Sequence, residues 1–152
     1  MQGRWKYTIL IIAVLLLLCR CDGETPEVCI LKDSGDTACV KVEVARTPEQ
    51  RQLGLMYRKS LPEGNGMLFI FKTARKQSFT MRNTFIPLDI IFIERTKRVT
   101  GWVENAKPLS KGPYKIDKPS QYVLEVNAFF CKENGIAVGD KVDFKNIAVS
   151  QI

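Results

Sequence analysis

The sequence predicts a mainly β (α+β) fold, a small antiparallel, partly closed barrel or roll with one main helix near residues 48–57. Three observations lead there. Apolar residues recur in short runs, either alternating with polar ones or unbroken, as strands with one or two covered faces require. Turn-forming clusters separate those runs, at Lys32–Asp36, Arg95–Arg98 and Gly139-Asp140. Only one segment, beginning at Thr47, carries a full set of helix-start signals. Hairpins with few helices suit a closed or folded sheet.

Val28–Leu31 and Ala38–Val44 flank the turn-rich Lys32-Asp33-Ser34-Gly35-Asp36 and read as a hairpin. Thr47-Pro48-Glu49-Gln50 then starts a helix: Thr47 caps it, Pro48 suits its first position, and Gln50 completes a capping box. Leu53 and Met56 give that helix an apolar stripe ending near Tyr57, with Arg58-Lys59 at its negative end. The loop Leu61–Gly66 leads into Met67–Phe71, an unbroken apolar run bounded by Lys72–Lys76 and covered on both faces as a strand. Ser78–Met81 alternates, and Phe85–Ile93 is strand-like again with Pro87 at its start, edge or bulge. Val99–Val103 pairs back across Arg95–Arg98. Ala106 to Pro119, with three prolines and Gly112, is an irregular crossing loop. Gln121–Val126 and Lys141–Phe144 complete the strands, and Ala128–Asn134 forms a helical turn or two closed by Gly135.

Residues 1–21 read as a secretory signal, leaving 22–152 as one compact β-rich domain. Arg4 and Lys6 precede the apolar run Ile9–Leu18, which is too short for a membrane span of about 20 residues. The protein is therefore expected to be exported, to the periplasm or anchored at the cell envelope. Leu18-Cys19-Arg20-Cys21 resembles a lipobox that would place a lipid anchor on Cys21, although Arg20 stands where the usual residue is small. Ordinary cleavage after Cys21 or Gly23 is the competing expectation. Loss of Arg4, Lys6 and Arg20 leaves 20 basic against 16 acidic residues, a dispersed +4 that suits a solvated surface and no nucleic-acid partner.

If the first hairpin centres on Ser34, Cys29 and Cys39 stand opposite each other, about 4.5–5.5 Å apart at Cα and within disulfide range. An exported chain permits that bond. Cys131 is left over as a small buried apolar residue.

The absence of histidine excludes Ser-His-Asp triads, Cys-His pairs and most zinc or copper sites. Gly64-Asn65-Gly66 lacks the helix and lysine of a phosphate loop, and the aspartates do not follow calcium-loop spacing. Met56, Met67 and Met81 read as core filler rather than soft metal ligands. No metal or cofactor is expected. Asp89 and Glu125 stand out, each a carboxylate within an apolar strand. Asp89 either pins the Asn83–Pro87 turn through backbone amides or lines a pocket. As a pair the two carboxylates could perform acid–base chemistry on a glycan.

Four segments, RTPEQRQLGLMYRKSLPEGNGMLFIF, SFTMRNTFIPLDIIFIE, QYVLEVN and GIAVGDKVDF, resemble in order and spacing the family called domain of unknown function 192. The resemblance runs from Val40 to Phe144 and implies a compact, mostly β domain, often exported, with no established activity. Where such proteins commonly carry a small residue after the last long strand, this chain has Phe129-Phe130.

The leading expectation is a non-catalytic module that binds a small molecule or an envelope protein at a site formed by Arg58, Met81, Asn83, Thr84, Asp89 and Glu125. The alternatives are a hydrolase of envelope glycan using Asp89 and Glu125, and a structural accessory lipoprotein.

Overall fold

The computed structural model describes residues 24–149; the signal segment and Cys21 lie outside them. In chain order the described elements are β1 (Glu27–Leu31), β2 (Thr37–Ala45), α1 (Pro48–Leu53), β3 (Asn65–Arg75), β4 (Ser78–Phe79), β5 (Leu88–Ile93), β6 (Val99–Ala106), β7 (Tyr114–Lys115), β8 (Ser120–Asn127), α2 (Phe130–Glu133) and β9 (Lys141–Lys145). Seven strands form one sheet in the order β6-β5-β8-β3-β2-β1-β9, and β4 and β7 form a separate ribbon.

The large sheet curls into a half-barrel because its edge strands, β6 and β9, approach at one corner. There Arg98 bridges to Lys141. The Val142 N–H donates to the Lys97 carbonyl at 2.9 Å, and the Gly139 N–H to the Val99 carbonyl at 2.8 Å. The Asp140 carboxylate holds the Gly139 turn by accepting from the Ala137 N–H at 2.8 Å.

All but one of the strand pairings in the large sheet are antiparallel. The exception is β2 with β3, which run parallel from Lys41–Asn65 to Ala45–Phe69. The cause is α1, which carries the chain over the sheet, and strands joined by such a crossover come out parallel. Thr47 and Gln50 form the expected capping box. The helix is shorter than its sequence suggests, because Gly54 (φ +48°) leaves the helical path and returns its N–H to the Gln50 carbonyl at 2.9 Å. The expected apolar stripe also fails. Leu53 is 55% exposed and α1 buries none of its residues, while Leu55, beyond the glycine, is the buried anchor.

Two apolar layers flank the sheet. Inside the curl, Val28, Ile30, Val40, Leu68, Ile70, Ile91, Leu124 and Phe144 pack together, with Cys131 of α2 closing one end. On the outer face, Leu55, Met67, Phe69, Met81, Leu88, Ile90, Phe92 and Val123 form the second layer. All six residues of β5 are therefore buried, and so are Met67–Ile70 of β3, which explains why those runs do not alternate. Each fully buried Leu, Ile or Phe contributes about 1.5–3 kcal/mol.

Cys29 and Cys39 are direct partners in the β1–β2 ladder and are joined by a disulfide, with Cα atoms 4.1 Å apart. β3 runs on through Lys72–Arg75 with an exposed tail, and the crossing loop contains the short strand β7.

Candidate functional site

The outer layer does not cover the sheet completely. A cleft of about 400 Å³ opens between the α1 segment and the β4–β5 region. Its apolar walls are Leu55, Phe69, Phe71 and Phe79, and its polar lining includes Arg51, Gln52, Gln77, Thr80, Arg82 and Thr84. Phe79 of β4 meets Phe69 edge-on with centroids 5.1 Å apart, and its ring also packs against Phe71 and Phe92. Such edge-to-face contacts fix ring orientation as well as burying area.

Glu125 lies on the floor. It is 6% exposed, lines the cleft, and has no side-chain hydrogen bond or ion pair among the described residues. Its ladder partners are Met67 of β3 and Ile90 of β5, neither of which offers a polar side-chain group. Burial without a compensating partner disfavours the anion, so the Glu125 pKa is pushed up to about 8. At neutral pH this side chain is a neutral carboxyl, able both to donate and to accept.

Asp89 is a different case. It is fully buried, and both its oxygens are taken by main-chain amides. Oδ1 accepts from the Asn105 N–H at 2.9 Å and the Phe129 N–H at 3.0 Å, and Oδ2 accepts from the Cys131 N–H at 2.9 Å. Two of those donors, Asn105 (φ +50°) and Phe129 (φ +69°), are left-handed non-glycine residues. Asp89 thus fastens a kink in β6 and the entry to α2, and it does not line the cleft. Of the two roles the sequence leaves open for Asp89, its contacts are those of backbone bracing, made at Asn105, Phe129 and Cys131 rather than in the Asn83–Pro87 turn.

Asp89 and Glu125 cannot act as a pair either. The β5–β8 register places Asp89 opposite Val126 and Ile90 opposite Glu125. Successive residues of a strand point to opposite faces. Asp89 therefore shares the inner face with Val126, and Glu125 the outer face with Ile90 and Met67. The sheet stands between them.

The other expected site residues divide. Thr84 lines the cleft with Glu125. Asn83 lines the adjoining groove with Tyr57 and Arg82; its Nδ2 donates to the Tyr57 hydroxyl at 3.0 Å. Met81 is 1% exposed and packs in the outer core. Arg58 lies outside the cleft lining, forming a two-pronged pair with Glu43 of β2, with Nη2 2.7 Å from Oε2. That hydrogen bond holds the Glu43 carboxyl below its usual range.

Two arginines outside the expected set of site residues complete the site. Arg82 lines the cleft and both grooves beside it and makes no side-chain hydrogen bond or ion pair among the described residues. Arg51 has its guanidinium 5.1 Å from the Phe71 ring centroid, and its Nη1 donates to the Arg46 and Ile70 carbonyls. The alternation Ser78–Met81, continued one step, would have put Arg82 on the polar side with Ser78 and Thr80.

Residues 29–144 match the model of domain of unknown function 192, described as an uncharacterized ACR. The chain belongs to this family. Solved structures similar to it include the following two. One, titled "a putative transcription regulator" from Sinorhizobium meliloti 1021, is 36% identical with a TM-score of 0.77, over 81% of this chain and 95% of that one. The other, a protein of unknown function from Novosphingobium aromaticivorans DSM 12444, is 38% identical with a TM-score of 0.73, over 77% of this chain and 83% of that one. No curated protein matches the sequence.

Proposed function

We propose that this family member is an exported, non-catalytic module of the cell envelope that binds a small ligand in the outer-face cleft. One observation carries the reading: Glu125, a carboxyl with no side-chain hydrogen bond or ion pair among the described residues, forms the floor of an open, aromatic-walled cleft. Small-ligand sites combine an apolar lining with a few convergent polar groups. A carboxyl that the fold leaves without a protein partner keeps its donor and acceptor for a ligand that enters the cleft. Export rests on the basic and apolar pattern of residues 1–21 and accords with a disulfide in the first hairpin. A glycan hydrolase working with two carboxylates is disfavoured, because Glu125 is the single carboxylate in the cleft lining.

Thermal-shift screening of fractionated envelope extract against the purified protein tests the reading. A stabilising fraction should lose its effect in Glu125→Leu and weaken in Arg82→Ala. Equal stabilisation of both variants and the parent chain would remove the cleft from consideration. Mass spectrometry of the mature N-terminus tests export and distinguishes lipidated Cys21 from ordinary cleavage.

A further inference from the structure

The ligand's chemical class follows from the charges around the cleft; this step rests on the cleft being a ligand site. We propose that it takes a small organic carboxylate with an apolar body, its carboxylate accepting a hydrogen bond from the Glu125 carboxyl and meeting the Arg82 guanidinium.

The ionisable groups facing Glu125 across the cleft are Arg51 of α1 and Arg82 of the β4–β5 connection. From β3 and β5 it meets Met67, Phe69 and Ile90, and Asp89 lies behind the sheet. With Glu125 protonated, the lining carries two positive charges and no negative one. Arg51 is committed to main-chain carbonyls and the Phe71 ring, whereas Arg82 is free among the described residues to meet an anion. A ligand ammonium would face both guanidinium groups. A carboxylate instead gains a charge-assisted hydrogen bond from a carboxyl donor, roughly twice as strong as a neutral one. Phe69, Phe71, Phe79 and Leu55 offer the apolar surface for the rest of the molecule.

The class has a pH signature. Binding requires the Glu125 proton, and the folded-state pKa is about 8. At pH 9 roughly one molecule in ten keeps that proton, so affinity should fall about tenfold between pH 7 and pH 9.

Amide NMR titrations of the purified protein at both pH values provide the test. The probes are octanoate and phenylpropionate, with octylamine and phenylpropylamine as charge-reversed controls. The carboxylates should shift the amides of Leu55, Thr80, Thr84 and Glu125 and bind about tenfold more weakly at pH 9. Glu125→Gln, which keeps an N–H donor, should bind them with no such loss, and Arg82→Ala should weaken them at both pH values. Cleft binding by the amines alone would overturn the chemical class and leave the site standing. No perturbation of the cleft by any of the four probes would overturn both.

Discussion

Replacing Glu125 with Gln substitutes a non-titrating amide of the same shape for a carboxyl whose pKa the fold raises from 4.5 to about 8. Between those values the folded protein holds a proton that the unfolded chain has released. The unfolded state then binds fewer protons, so stability declines as pH rises. The stabilisation is complete below about pH 4.5 and has been lost by about pH 8. Each pH unit is worth roughly 1.4 kcal/mol, which over the window sets an upper limit of about 5 kcal/mol, reduced by whatever water enters the open cleft. The sequence makes the test clean. With no histidine in the chain, only the amino terminus ordinarily titrates in the same range. The lowered carboxylates Glu43, Glu49 and Asp117 titrate beneath it, and burial pushes the Cys131 thiol far above it. Urea unfolding at one-unit steps from pH 5 to pH 8 should show the parent chain losing a few kcal/mol, with Glu125→Gln nearly flat. A variant profile parallel to that of the parent would refute the idea that Glu125 holds its proton at neutral pH.

Three further outcomes follow from groups placed elsewhere. Asp89→Ala strands three main-chain amides and should cost at least about 3 kcal/mol, read by urea unfolding, whereas Asp89→Asn should cost less; neither should shift the cleft amides directly. Exchanging both Cys29 and Cys39 for Ser opens a loop of ten-residue separation, which should lower stability by roughly 2–3 kcal/mol in the same assay. Phe129 sits at φ +69°, so Phe129→Gly should be more stable than Phe129→Ala by about 1 kcal/mol in thermal melts; equal stabilities would mean that the left-handed geometry carries no cost.

What the sequence discloses here is what local chemistry determines. The Cys29–Cys39 geometry follows from a turn centred on Ser34, and the start of α1 from Thr47, Pro48 and Gln50. The faces of the central strands were another matter. Leu88–Ile93 and Tyr122–Val126 are buried on both sides, so neither contains the alternation that would say where Asp89 or Glu125 points. Only their register with each other decides it, and that depends on β8 entering the sheet between β3 and β5. Two carboxylates with the same sequence surroundings thus reach opposite ends of polar satisfaction, one holding three amides and the other none. Arg58 misled for a related reason: its partner, Glu43, lies across the β2–α1–β3 crossover.

The cleft exists because the outer layer is built from pieces that touch mainly at their ends. α1 buries none of its own residues, and Leu55 anchors the segment after a turn at Gly54, where an added Cβ would stand 3.2 Å from the Phe69 ring. At the rim, the Tyr57 N–H donates to the Asn83 carbonyl at 2.8 Å and the Leu109 N–H to the Thr84 carbonyl at 3.0 Å. Tyr57, Asn83 and Leu109 are all left-handed non-glycine residues, a conformation that persists only where surrounding contacts enforce it and that gathers at functional sites. A layer serving stability alone would close over Glu125 or replace it with an apolar residue. Glu125→Leu should therefore raise stability at pH 7 by about 1–2 kcal/mol, by removing a desolvated carboxyl and adding apolar contact, while abolishing ligand binding. A leucine variant less stable than the parent would mean that the carboxyl supports the fold, and the case for a site built around it would fail.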